Sequence, residues 1–322
     1  MRIFSNPNYN FIKWRWHALI FSIVIIWIGV ATIYFKGGIP LGIEFTGGTQ
    51  VIIQFDKPTG EDVVRRAVDK ISKDASVQRF GRPELNQLVI RLPEPPNMGT
   101  GGAPIDEDAK RVEDALRAAN IGFVSPPVSK DVIGPVMGKD YQNKGIWATV
   151  AALGGILLYV AFRFRLTFAV GAIVAAFHDI LITLVMLTWF GYDLSLNIIA
   201  GILTITGYSV NDTIVVFDRV RENKARHAGE PFADIVNHSI LQTFGRSIMT
   251  SLTVVLTLLA LLLFGGAAIS DFILALLIGI ISGTYSSIFV AAPLLVDWQL
   301  WDDRRHGRLM AARTPRPRRA AS

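Results

Sequence analysis

The chain has no cysteine, which excludes disulfide bridges, thiolate nucleophiles and soft metal sites. Its five histidines (His17, His178, His227, His238 and His306) form no HExxH or other close ligand cluster, which argues against metal catalysis. Neither a GxxxxGK[ST] loop nor a strand-linked GxGxxG is present, leaving an ion gradient or a partner as the source of energy. No nucleophile and base pair stands out, so the expectation is a protein that is not an enzyme and carries no cofactor. Charge is scarce too, at 18% of residues.

What the chain has instead is apolar sequence. Hydrophobic residues make up 51% and mean hydropathy is +0.40, where a soluble domain would be more polar. Six apolar runs of roughly 20 residues, the length that spans a bilayer, lie at 17–35, 145–162, 166–190, 194–217, 247–264 and 269–296. The first follows Lys13 and Arg15 but lacks an A-x-A-like exit, so it reads as an uncleaved anchor rather than a signal peptide.

Short cytoplasmic loops hold an excess of Lys and Arg. Arg2, Lys13 and Arg15 precede the first run, Arg163 and Arg165 the third, and Arg219, Arg221, Lys224 and Arg226 follow the fourth. The tail adds Arg304, Arg305, Arg308, Arg313, Arg316, Arg318 and Arg319, whereas the turns 191–193 and 265–270 have no basic residue. Both termini are thereby placed in the cytoplasm. The basic tail reads as an orientation signal lying against anionic membrane lipid, with no nucleic acid needed to explain it. The expected layout is a cytoplasmic N-terminus (1–16), a first transmembrane helix (17–35), a periplasmic domain with linkers (36–144), a five-helix transmembrane bundle (145–296) and a basic cytoplasmic tail (297–322).

Within 36–144 the patterning alternates. Residues 49–55 read as a strand, 59–71 as a helix with acids in its first turn, and 76–80 and 87–92 as strands. After a Pro/Gly-rich linker at 93–104, residues 105–119 have helical spacing and 122–128 are extended. This β-α-β-β-α-β order predicts a small α+β ferredoxin-like domain between the first and second of six transmembrane helices, and by itself names no function.

Polar residues inside the apolar runs carry the functional signal. The fourth run holds Asn211 and Asp212, and an aspartate near the centre of a membrane helix costs about 2.5–3.5 kcal/mol. Gly201, Thr204, Tyr208 and Asp212 recur at three- and four-residue steps, predicting one face turned into a bundle. Thr243, Arg246, Thr250, Thr253 and Thr257 repeat that spacing on the fifth run, predicting a second polar stripe with Arg246 at the depth of Asp212. Burial favours a neutral acid and a neighbouring cation favours the carboxylate, so a change in their separation would bind or release a proton. A structural ion pair is an equally good reading from position alone. His178 and Asp179 in the third run read as structural and inward-facing, and Ala275, Gly279, Gly283, Ser287 and Ala291 as a stripe for close helix packing.

The run Gly207-Tyr208-Ser209-Val210-Asn211-Asp212-Thr213-Ile214-Val215-Val216-Phe217-Asp218-Arg219-Val220-Arg221-Glu222-Asn223 resembles the signature of the SecD/SecF family of protein-export membrane proteins. So do Gly42-Ile43-Glu44-Phe45-Thr46-Gly47-Gly48, Ile133-Gly134-Pro135, 159–165, 168–179, 246–252 and 271–293. Asn211-Asp212-Thr213 and Phe217-Asp218-Arg219 favour the SecF branch over SecD. Glu44 departs from the family's usual aspartate, and Gly42, Gly47 and Gly48 are explained by a tight bend alone.

The resemblance implies a six-span half of the resistance-nodulation-division fold, paired with SecD and working beside SecYEG, often with YajC, in the bacterial inner membrane. It implies use of the proton-motive force in late translocation of unfolded preproteins, after the ATPase SecA has driven the early steps. It carries the membrane carboxylate to Asp212 and its partner to Arg246, with Asn211, Asp179, His178 and Thr250 as accessory polar residues. The alternatives are a small-molecule exporter half of the same superfamily and a non-transporting scaffold of the translocon.

Overall fold

In a bilayer only helices and closed barrels satisfy every backbone N–H and C=O, and the long apolar runs fold as helices. A computed structural model describes residues 9–72, 75–80, 83–93, 105–133, 135–163, 166–227, 229–265 and 269–305. The linker expected at 93–104 beyond its first residue, the basic tail beyond 305, Gly134 and Arg165 lie outside the described residues. In chain order come α1 (Arg15–Phe35), the single turn α2 (Ile43–Thr46), β1 (Gly48–Gln54), α3 (Glu61–Val68), β2 (Ser76–Phe80), β3 (Gln87–Leu92), α4 (Ile105–Ala118) and β4 (Ser129–Ile133). Then follow α5 (Pro135–Arg163), α6 (Leu166–Trp189), α7 (Leu196–Arg226), α8 (Phe232–Phe264), α9 (Ser270–Ser286), a wide π turn (Ser287–Ala291) and α10 (Ala292–Arg305).

Six helical segments among the described residues are long and apolar enough to cross a membrane. Several overrun the apolar runs. α7 continues past residue 217 to Arg226, and α8 starts at Phe232 rather than near 247. Both extensions are amphipathic rather than apolar, which is why a hydropathy reading stops short of them. The α7 extension is held by ion pairs one turn apart, Asp218 with Arg221 (3.0 Å) and Glu222 with Arg226 (2.7 Å). Asn223 Nδ2 also donates to Ser239 Oγ (2.9 Å) across the hairpin.

The four strands form one antiparallel sheet in the order β2-β3-β1-β4, the arrangement of a ferredoxin-like domain. Its core is the alternate face of the strands, Val51, Ile53, Val77, Leu88 and Ile90, closed by Val64 and Val68 of α3 and Val112 and Leu116 of α4. The fourth strand is not at 122–128, as the sequence pattern predicts, but at Ser129–Ile133. Pro126 and Pro127 interrupt the earlier segment, since proline has no N–H to give a ladder. That segment touches the sheet at the Phe55–Phe123 bridge, with backbone bonds from Asp56 N to Gly122 O, from Val124 N to Gln54 O and from Val128 N to Ile52 O.

The other face of the sheet meets the membrane helices. Arg91 of β3 pairs with Asp193, in the turn between α6 and α7, and also bonds Gln50 (2.9 Å) and Gln78 (3.0 Å). Gln78 Nε2 donates to Asp193 (2.8 Å). Two backbone bonds, Gly42 N to Leu194 O (2.8 Å) and Leu194 N to Pro40 O (2.7 Å), join the same turn to the segment entering the domain. Gly47 and Gly48 follow at φ of 74° and 124°, and a Cβ on Gly48 would lie 2.3 Å from the Leu92 carbonyl oxygen, so this bend requires glycine.

In the bundle, α9 packs against α6, α7 and α8. A Cβ on Gly279 would strike Ile205 of α7 at 2.2 Å, and one on Gly283 would reach Ser209 at 3.1 Å. The small-residue stripe brings these two backbones close enough for short serine side chains to reach across.

Candidate functional site

Asp212 is buried on α7, and two hydroxyls reach it. Ser247 Oγ of α8 donates to Oδ1 (2.7 Å), and Ser287 Oγ, at the first residue of the π turn, donates to Oδ2 (3.1 Å). No ion pair within 4 Å accompanies them among the described residues. Arg246 precedes Ser247 and its side chain is exposed on the surface of this chain, as are Asn211 and Thr250. Thr250 Oγ1 returns to its own helix, at the Arg246 and Ser247 carbonyls (both 3.0 Å).

The predicted polar faces are therefore rotated from the observed ones. From Thr243 onward the buried residues of α8 are Thr243, Ser247, Ser251 and Leu258, while Arg246, Thr250, Thr253 and Thr257 are exposed. One residue of offset turns a side chain by about 100°. On α7, Thr204 is exposed and bonds Ala200 O (2.8 Å); eight residues from Asp212, its direction has drifted by about 80°. Gly201 and Asp212 stay buried and Tyr208 half-buried.

His178 and Asp179 lie in a second polar cluster, on α6. Asp179 is fully enclosed. Its Oδ2 accepts from Ser209 (2.6 Å) and Ser286 (2.7 Å), and its Oδ1 from Ser282 (2.6 Å), with His178 Nδ1 at 3.0 Å. The His178 ring stacks on Tyr285 at 6.0 Å, and the Tyr285 hydroxyl donates to Ala18 O (2.7 Å). The serines Ser209, Ser247, Ser282 and Ser286 and the buried Thr213 were not singled out from sequence, and Ser287 was read only as a packing residue. For Ser282 and Ser286 the signal is their place beside the stripe at Gly279, Gly283 and Ser287 on the same helix, and for Ser247 its place next to Arg246.

Glu44 lies on the single turn α2, outside the membrane helices. Burial holds its carboxyl above the ordinary 4.5, opposed by its own backbone N–H and by Arg91, with Asp271 and Asp193 adding to the upward push. Among the described residues no group of three or more His, Asp and Glu side chains has the geometry to hold a metal ion.

Comparison with known proteins matches this arrangement. Residues 114–301 match the model of the protein export membrane protein SecD/SecF C-terminal family, and 35–59 match the SecD/SecF GG motif. Protein translocase subunit SecF of Koribacter versatilis is 35% identical over 99% of this chain and 98% of its own length. The SecF subunit of Thermobaculum terrenum is 41% identical over 90% of this chain and 94% of its own. The crystal structure of SecDF, a translocon-associated membrane protein from Thermus thermophilus, superimposes with a TM-score of 0.79 at 34% identity, covering 92% of this chain and 39% of that longer one. With near-complete coverage of separate SecF subunits and the same six-helix, one-domain architecture, the chain belongs to the SecF branch of the SecD/SecF family: it is a multi-pass subunit of the bacterial Sec protein translocase.

Proposed function

We propose that this subunit, in a heterodimer with SecD in the inner membrane and beside SecYEG, YajC and SecA, uses the proton-motive force to promote late translocation of unfolded preproteins, with Asp212 as the proton-binding group. Its termini face the cytoplasm and the ferredoxin-like domain faces the emerging polypeptide. One observation carries the reading: Asp212 is a buried membrane carboxylate held by two hydroxyls, with no cation within ion-pair distance among the described residues. A hydroxyl both donates and accepts, so Ser247 and Ser287 accommodate the ionised and the protonated acid alike. A permanent arginine pair would favour only one of them.

Arg246 supplies the variable part. It is one residue from the Ser247 contact, and movement of α8 against α7 would change its distance from Asp212 and so the balance between the two forms. The exposed Arg246, Asn211, Thr250, Thr253 and Thr257 are costly against lipid and fit a polar partner surface. SecD supplies it on this reading, as the fused SecDF relative, of which this chain covers 39%, implies.

The test is preprotein translocation into vesicles holding SecYEG, SecA, SecD and this chain, with and without a proton gradient. Asp212→Asn is expected to translocate at the rate seen without a gradient while assembling normally with SecD. An undiminished gradient response, or loss of assembly, overturns the assignment and leaves a scaffold.

A further inference from the structure

Asp179 is enclosed more completely than Asp212 and has twice as many partners. A static tie between α6, α7 and α9 would explain its burial. Three observations carry it further. The first is the hydrogen count. Ser286 Oγ has one hydrogen but faces two acceptors, Asp179 Oδ2 at 2.7 Å and Gly283 O at 3.2 Å. Ser287 Oγ is placed in the same way, between Asp212 Oδ2 at 3.1 Å and Thr284 O at 3.0 Å. When the carboxylate is ionised, the hydroxyl donates to it. When the acid is protonated, its O–H donates to Oγ and the serine hydrogen turns to the helix carbonyl. Both states leave these groups matched, which a purely structural donor such as an amide N–H would not achieve.

The second observation is that the two serines are consecutive residues serving carboxylates on different helices, at the point where α9 passes into the π turn. Such turns inside helices are frequent at functional sites. Ser209, three residues before Asp212 on α7, closes the connection by donating to Asp179. The third is His178. Its Nδ1 meets Asp179, and its buried Nε2 has no hydrogen-bond partner among the described residues. The titratable groups facing Asp179 are His178 beside it and, through the linked network, Tyr285 of α9 and Asp212 of α7; α1 contributes only the Ser22 hydroxyl and the Ala18 carbonyl, both at Tyr285.

We propose that Asp179 is a second proton-holding carboxylate of the same transport cycle, coupled to Asp212 through Ser286 and Ser287. The proposal rests on the proton-coupling reading of Asp212. A proton taken up on Asp179 Oδ2 stays bound there and its O–H donates a hydrogen bond to Ser286 Oγ, while the Ser286 O–H turns to donate to the Gly283 carbonyl; release restores the first arrangement, and the Oδ2–H bond is the one covalent bond made or broken. Because Ser287 follows directly on the chain, the orientation chosen at Ser286 biases the one at Ser287, and each carboxylate reads the state of the other.

The experiment is a pH titration of the infrared carboxylic-acid carbonyl bands of the purified heterodimer with SecD, run beside the translocation assay. Beside the bands of its surface acids, wild type is expected to show two bands of buried bundle acids, one lost in Asp212→Asn and the other in Asp179→Asn. Asp179→Asn should delete one, displace the midpoint of the other by about one pH unit, the scale on which coupled acids titrate as a pair, and reduce gradient stimulation. Ser286→Ala should keep both bands and abolish their mutual displacement. A single band, lost only in Asp212→Asn, overturns the proposal, as does an Asp212 midpoint unmoved by Asp179→Asn. Should Asp179→Asn not assemble, Ser286→Ala decides: bands whose coupling is unchanged overturn it. If Asp212→Asn keeps its gradient response, the reading of Asp212 fails separately, and the bands still decide whether Asp179 titrates.

Discussion

Serine, rather than arginine, holds the carboxylates of this bundle, and the difference is chemical. An arginine has donors only, whereas a hydroxyl takes either role, so a serine-held aspartate changes protonation without leaving a buried atom unpaired. Glu44 gives the contrasting case at the membrane surface. Burial raises its carboxyl above 4.5, so the folded state favours the neutral acid. The stability this contributes is whole below 4.5 and is lost as pH rises through the folded value. Thermal unfolding followed against pH should show wild type losing a few degrees over that interval, with a flatter profile for Glu44→Gln. Equal slopes would mean that Glu44 ionises alike in both states.

At the scale of elements, the α7–α9 contact sets the geometry on which both aspartates depend. The Gly279 position lies 2.2 Å from the Ile205 side chain once a Cβ is added, so Gly279→Ala overpacks the pair and should cost about 1–3 kcal/mol. Gly154→Ala on α5 has nothing within 4 Å and should instead gain up to about 1 kcal/mol of helix propensity. Denaturation of the two variants in the same detergent compares them directly; equal stabilities would show that α7 and α9 can separate without penalty. Most elements were legible in the sequence because each is written locally, as an apolar length or an alternation. The displaced β4 was not. Residues 122–128 carry an extended pattern, and only the partner β1 decides that the ladder is built from Ser129 onward, beyond the prolines.

For the whole molecule, the side-chain contact that ties the sheet of the extramembrane domain to the bundle is Arg91 with Asp193 and their glutamine neighbours, beside the backbone bonds of Gly42 and Leu194. Both side chains of that pair are largely shielded, at 16% and 7% exposure. Removing one partner strands the other, at a cost of about 3 kcal/mol. Asp193→Ala is therefore expected to speed hydrogen exchange at the Gly42 and Leu194 amides while leaving the β1–β3 ladder protected. Equal acceleration throughout the sheet would show that the contact stabilises the domain itself and not its seat on the membrane helices.

Length, apolar runs and strand order by themselves determined six membrane helices and the ferredoxin-like insertion, because hydropathy and backbone period are properties of a segment alone. The same was true of which helices carry Asp179 and Asp212. The family was carried by the resemblance of the chain's motifs, above all the run 207–223. Tertiary structure decided what those carboxylates touch. A one-residue difference of register turns a helical side chain by about 100°, enough to put Ser247 on Asp212 and Arg246 outside. The glycines of α9 let it approach α7 closely, where Ser287 at its end reaches Asp212, a contact that no single segment specifies.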